Sequence, residues 1–166
     1  MKVWVGIDPG LTGAVALIHG ESPLGGVIEI FDAPIAVVKK GKKKQGVPLP
    51  DEMARIFYGI RDYNPIVYIE QVHAMRKQGV TSMFNFGMGY GMWIGILAAL
   101  SIPYQLVTPQ RWKKEMMHGM VTAEKDASLV QAKRLFPQVA EQLQRKKDDG
   151  RAEALLIAAL CRKENP

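Results

Sequence analysis

Apolar residues gather in the first part of the chain as short runs, each closed by Gly or Pro, rather than at helical intervals. "KVWVGID" is rich in β-branched and aromatic residues and stops at Pro9-Gly10, which predicts a buried strand with Asp8 at its end. "GAVALIHG" and "GGVIEIFDAP" predict two more strands, and their close spacing predicts an antiparallel meander. The segment "VVKKGKKKQGVPLP", with five lysines between residues 39 and 44, shows no apolar period and is expected to be a mobile loop. Surface solvation and direct DNA contact are both open uses for its charge.

Helical spacing begins at "PDEMARIFYGIRDYN", where Met53, Ile56, Phe57 and Ile60 form one face and Asp51 and Glu52 suit the dipole of the first turn. "PIVYIEQ" predicts a strand buried on both faces, with Glu70 near its end. In "SMFNFGMGYGMWIGILAAL", Gly87, Gly91 and Gly95 recur every fourth residue and share a groove that another backbone can approach closely, within one subunit or across a dimer. Asn85 and Tyr90 interrupt that stretch, leaving its apolar part short of the roughly 20 residues a membrane span needs. The remainder predicts a strand "PYQLVTP", a basic helix "PQRWKKEMMHG", a helix "TAEKDASLVQAKRLFP" that Thr122 can cap, and a last helix from about Gly150 to Cys161. Strands followed by alternating helices and strands predict an α/β fold with a mixed sheet.

With 166 residues, 48% of them hydrophobic, the chain is expected to form one domain, 1–166, burying about two thirds of its unfolded surface. Twenty-two Lys and Arg against 16 Asp and Glu give a net charge of +6, which favours a polyanionic partner, nucleic acid before an anionic membrane. The lone Cys161 excludes an internal disulfide and structural zinc lacks its ligand clusters, so a reducing cytoplasmic setting is expected. The N-terminal apolar run is broken by Asp8 and Pro9 and is too short for a signal peptide.

In this basic chain the acids stand out. Asp8 and Glu70 each end a predicted buried strand; should those strands be neighbours, two carboxylates meet at one edge, an arrangement tolerated chiefly with a cation between them. On the last helix Glu153 shares a stripe with Leu156, Ile157 and Leu160, and Asp149 lies one turn back on that face. Asp148, five residues back, points away and suits N-capping. Four converging carboxylates select hard divalent ions such as Mg²⁺ or Mn²⁺, and a pair of such ions suits phosphodiester hydrolysis.

"GIDPGLTGAVAL", "VYIEQVHAM" and "DDGRAEALLIAAL", in this order and at these separations, resemble the RuvC family of Holliday junction resolvases, over essentially the whole chain. The resemblance implies an RNase H-like fold with a mixed five-stranded sheet flanked by helices. It further implies that Asp8, Glu70, Asp149 and Glu153 hold two Mg²⁺ ions, with Mn²⁺ as a substitute. Bacterial members typically space the final acidic pair by three residues, whereas Asp149 and Glu153 are four apart, as in phage and other viral-type members; Asp148 stays open as an alternative ligand. A homodimer that nicks opposing strands of a four-way DNA junction is implied, with the Gly87/Gly91/Gly95 helix as its main contact. Lys113, Lys114 and Lys125 fall where relatives bind phosphates near the cut, Arg76 and Lys77 are similarly placed, and His73, Phe84 and Phe86 are candidates for contact with parted bases. A crossover junction endonuclease in a bacterial cytoplasm, with phage encoding open, is therefore expected. An RNase H-like nuclease for RNA or hybrids and a non-catalytic junction binder are the alternatives. An actin-like ATPase is disfavoured, because "GIDPG" lacks a second Gly-rich phosphate loop.

Overall fold

The computed structural model describes residues 2–20, 26–73, 79–120 and 126–166. Five strands form the main sheet: β1 (Val3–Asp8), β2 (Ala14–His19), β3 (Val27–Asp32), then two that lie further along the chain. β1 and β2 pair antiparallel, as do β2 and β3, so the predicted meander is present. A separate two-stranded hairpin follows, β4 (Ile35–Lys40) with β5 (Lys43–Pro48), before helix α1 (Pro50–Tyr58). The remaining main-sheet strands, β6 (Ile66–Glu70) and β7 (Tyr104–Val107), are separated by helix α2 (Val80–Ala99). Helices α3 (Pro109–Met116), α4 (Ala127–Leu135) and α5 (Asp149–Glu164) complete the chain. The sheet order is β3-β2-β1-β6-β7, with β1, β6 and β7 mutually parallel, which is the mixed five-stranded sheet expected.

The hairpin corrects the loop expected over "VVKKGKKKQGVPLP". Lys40 pairs with Lys43 across Gly41-Lys42, and Gly41 has φ +65°, the left-handed first position that a tight two-residue turn requires. Lysine content hid the strand signal, because exposed strands need no apolar alternation.

Alternation along β1 divides the core. Val3, Val5 and Ile7 pack with Met53 and Phe57 of α1 and Trp93 and Leu97 of α2, while Trp4 faces α5 and the helices beyond it. Residues Ala154 to Leu160 of α5 are buried on every side, not along one stripe, because the helix is sandwiched between the sheet and α3 and α4.

Gly6 sets how closely α5 lies on the sheet. A Cβ there would fall 2.1 Å from the carbonyl oxygen of Ala154 and 2.3 Å from the backbone nitrogen of Ala158, so strand and helix backbones touch directly. We expect Gly6→Ala to destabilise the fold by about 3 kcal/mol, because rigid backbone must move to admit one methyl group. Urea denaturation of the variant checks this; an unchanged midpoint would show that the helix seat is soft.

Candidate active site

Asp8 and Glu70 end adjacent parallel strands, each one residue beyond the Ile7–Ile69 pair. Period-two alternation turns Asp8, like Trp4 and Gly6, to the α5 side, and turns Glu70, like Tyr68, to that same side. The sequence-level condition that these strands be neighbours is therefore met. Contact at Gly6 then brings α5 down so that Glu153, the residue before Ala154, reaches the same edge. At the start of α5, Gly150 sits against the β1–β2 turn: a Cβ there would lie 2.4 Å from the Thr12 carbonyl oxygen and 3.1 Å from Asp8 Oδ2. Any larger residue would collide with that turn beside the Asp8 carboxylate.

Each carboxylate is held by a local donor. The Gly10 backbone N–H donates to Asp8 Oδ1 at 3.1 Å, and the indole Nε1 of Trp112 donates to Glu70 Oε2 at 2.7 Å. Ser128 Oγ donates to Glu153 Oε1 at 3.3 Å, and Lys113 Nζ stands 3.9 Å from that oxygen. Lys113 also lies 5.2 Å over the Trp112 ring, so one short stretch of α3 serves both glutamates. Asp149 is exposed as the first residue of α5, and its Oδ1 accepts from the Gly150 backbone N–H at 2.9 Å.

Burial and mutual repulsion leave Asp8, Glu70 and Glu153 reluctant to ionise. The Asp8 carboxyl is pushed up from 3.8 to about 7, chiefly by desolvation and then by Glu153, with Glu70 and Asp149 adding to it and the Gly10 N–H opposing. Glu70 is raised by desolvation, offset by the Trp112 bond and Lys113. Glu153 is raised by desolvation, with Lys113 opposing and Glu70 and Asp149 reinforcing. All four predicted acids thus belong to one electrostatically coupled group. Among the described residues, no three or more His, Cys, Asp or Glu side chains stand close enough together to hold a metal ion as they are.

Two other acids near this edge are neutralised by arginines. Asp148 is only 3% exposed; Arg145 Nη2 donates to its Oδ1 at 2.8 Å and the Arg145 backbone N–H donates to its Oδ2 at 2.8 Å. Arg145 therefore holds its carboxyl below the usual range, and Asp148 anchors the turn entering α5. Asp32 ends β3 at the same sheet edge as Asp8, opposite Ala14, and accepts a two-pronged bond from Arg151 at 2.5 and 2.6 Å. That pairing holds its carboxyl low as well.

Among the expected DNA contacts, Lys113 lies at the acid group, Lys114 is exposed beside Glu115 on the same helix, and His73 is exposed just past β6. Phe84 is exposed, and the Phe86 ring approaches to 3.9 Å of where a Gly10 Cβ would stand, next to the Asp8 turn. Arg76, Lys77, Lys125 and Thr122 lie outside the described residues. Sequence reasoning missed Trp112 and Ser128. A signal existed for the first: a tryptophan within a basic helix is the residue that buries, and a buried indole N–H needs an acceptor.

No family model matches the chain. Over 93 residues it is 36% identical to the chloroplastic Holliday junction resolvase MOC1 of Chlamydomonas reinhardtii; that stretch is 55% of this chain and 10% of the relative, so the chain spans about a tenth of the relative's length. Among solved structures it is similar to T. thermophilus RuvC in complex with Holliday junction substrate, with a TM-score of 0.61 and 16% identity over 95% of this chain and 91% of that one. Thermus thermophilus RuvC alone gives a TM-score of 0.55 and 18% identity over 98% and 96% of the two chains. The chain has the RNase H-like fold of RuvC.

Proposed function

We propose that the protein is a structure-selective DNA endonuclease that resolves four-way junctions by metal-dependent phosphodiester hydrolysis. The observation that carries this reading is the convergence of Asp8 and Glu70, on adjacent parallel strands, with Glu153 from α5. The name of the curated relative and the fold shared with RuvC support the same substrate class.

The donor set suits a hard divalent ion. Its groups are carboxylate oxygens only, with no sulfur or imidazole, and the raised Asp8 and Glu153 carboxyls mark a cluster whose repulsion a cation relieves. Mg²⁺ needs only one or two protein carboxylates besides water and substrate oxygens, and Mn²⁺ takes the same oxygen ligands. Asp8, Glu70, Asp149 and Glu153 would hold two ions, which supply water activation and neutralisation of the leaving oxygen. Trp112 orients Glu70, Ser128 orients Glu153, and the Gly10 N–H fixes Asp8, each leaving carboxylate lone pairs available. Lys113, half exposed beside the glutamates, stands where it can neutralise charge on a scissile phosphate. In-line attack gives inversion at phosphorus with 3′-hydroxyl and 5′-phosphate ends.

Symmetric nicking needs two equivalent sites, and a homodimer supplies them. Gly87, Gly91 and Gly95 are exposed on α2, with nothing among the described residues within 4 Å of where their Cβ atoms would stand, so no described part of the subunit packs into this groove. A second copy laid on that face is the arrangement we infer. No helix among the described residues is long and apolar enough to cross a membrane, and a bacterial cytoplasm, with phage encoding open, suits the reading.

Incubating the protein and Mg²⁺ with four-way, three-way, flap, linear and RNA/DNA hybrid substrates tests the class; paired symmetric nicks in the four-way junction support it, whereas cutting confined to hybrids points to the RNA-directed alternative. Glu70→Gln should abolish cleavage while junction affinity stays within a few-fold, and full cleavage by that variant would remove the metal-site assignment.

The two neighbouring aspartates should separate by readout. Asp149→Asn should cost cleavage with little change in melting temperature, whereas Asp148→Asn should lower the melting temperature by several degrees through loss of the Arg145 pair and spare cleavage of the folded protein. Equal loss of cleavage from both would sink the assignment of Asp149.

Without added metal, Asp8 binds its proton more tightly in the folded than in the unfolded chain, so its contribution to stability is full below about pH 4 and is lost as pH rises through about 7. Asp8→Asn should accordingly stabilise the metal-free protein at pH 8, by about 1–3 kcal/mol, and hardly at all at pH 4. Urea denaturation at the two pH values measures the difference, and an equal effect at both would contradict the buried, repelled carboxyl.

A further inference from the structure

Strand polarity delivers a second basic element to the carboxylate edge. β3 is antiparallel to β2, which is antiparallel to β1, so β3 and β1 both end at this edge and the β4–β5 hairpin departs from it. The hairpin base is anchored to the site: the Ala33 N–H donates to the Gly13 carbonyl and the Leu49 N–H donates to the Pro34 carbonyl, each at 2.9 Å. Six residues per strand give the hairpin a reach of roughly 20 Å. Beside its base lies a cavity of about 520 Å³, lined by Leu11, Ile35, Arg145, Lys146, Lys147 and Asp149 among others. Lys113 enters from the other end of the sheet, on the helix that follows β7. The acids therefore lie between two basic elements.

The register makes the hairpin unusual. Lys39 pairs with Lys44, so like charges face one another across the ribbon, an arrangement that weakens strand pairing. No Asp or Glu occurs between residues 35 and 48, and among the described residues no ion pair joins Lys39, Lys42 or Lys44 to an acid. Unneutralised charge at this density is relieved by a polyanion with closely spaced phosphates. The tip, residues 39–45, carries no apolar side chain that could enter a bilayer, which favours nucleic acid over membrane.

We propose that the β4–β5 hairpin is a DNA-gripping arm that follows the phosphate backbone of a duplex leading away from the cut, opposite the Lys113 side. This rests on the nuclease reading above. Lysines on phosphates position the duplex without reading its sequence, so the arm contributes affinity and register rather than bond cleavage.

The test is a triple variant, Lys39→Gln/Lys42→Gln/Lys44→Gln, and its Lys→Arg counterpart, compared with wild type by fluorescence anisotropy on a four-way junction and a linear duplex across a salt series. The slope of log affinity against log salt should fall by about 0.9 for each lysine removed, on both DNAs, and the arginine variant should keep the wild-type slope. At limiting protein, cleavage by the glutamine variant should fall with its lost affinity, and the arginine variant should cut like wild type. An unchanged slope in the glutamine variant would overturn the arm, as would loss of binding to phosphatidylserine vesicles with DNA binding intact. A wild-type protein that binds duplex but cuts no branched DNA would sink the nuclease reading instead, while the slope on linear duplex still decides the arm. The glutamine variant should melt no lower than wild type, because the repulsion between Lys39 and Lys44 is gone; loss of the slope together with a lowered melting temperature in both variants would count against the arm.

Discussion

The contact between the backbone of α5 and β1 at Gly6 is the constraint on which the site depends. Helices normally stand off a sheet by the length of their side chains; here the Ala154 carbonyl lies where a Cβ would be. That approach lets a short acidic side chain on the helix meet another on the strand, and it buries both. It also accounts for the all-round burial of α5, since a helix seated so low is covered by α3 and α4 on its outer side. The cost is desolvation of carboxylates, visible in the raised Asp8, Glu70 and Glu153. Folding stability and the ion binding we propose would thus pull in opposite directions at the same atoms, a common state for functional sites.

Charge at this edge is sorted by partner rather than by amount. Asp32 and Asp148 are as near the start of α5 in sequence or register as the site acids, yet each is engaged by an arginine. Asp8, Glu70 and Glu153 receive neutral donors instead: an amide, an indole and a hydroxyl. Neutral donors orient a carboxylate without cancelling its charge, whereas a two-pronged arginine occupies both oxygens. The distinction separates acids that build the fold from acids left able to take a cation, and Lys113, at 3.9 Å from Glu153, is loosely enough placed to belong to the second group.

Much of this was legible in the residues. "VGID" and "VYIE" each marked a buried strand ending in acid, and the three-, four- and seven-residue spacings from Glu153 put it on a packed face. Helical phase set Asp148 apart from Asp149 and gave it to capping; in the structure Asp148 makes no side-chain cap bond to α5 but is buried on Arg145, while Asp149 is exposed at the helix start. Strand-end reasoning overlooked Asp32, because "FDAP" reads as a turn, and only the three-dimensional partner Arg151 shows why it stays out of the site. The hairpin was illegible for a different reason. Periodicity reports a buried face, and a ribbon projecting from the domain has little of one; the usable signal was Gly41 set between lysines at the turn. Trp112 and Ser128 were missed because orienting residues are chosen by geometry across distant elements, which local spacing does not encode.

Parallel pairing explains why so much chemistry collects at one edge. β1, β6 and β7 run in the same direction and β3 runs with them, so four of the five strands end together and only β2 ends at the opposite side. Everything that follows those strand ends is launched from there: the Gly10 turn after β1, the hairpin after β3, the segment carrying His73 after β6 and the basic helix α3 after β7. Strand ends are the least mobile points from which a loop can start, so the acids sit on rigid backbone while the cations ride on the outgoing segments. An anionic ligand lying along this edge meets fixed acids at the centre and adjustable lysines at both flanks. Five lysines of the hairpin and Arg111, Lys113 and Lys114 of α3 ride on such outgoing segments, so the excess of basic residues in the chain is in good part placed beside this edge.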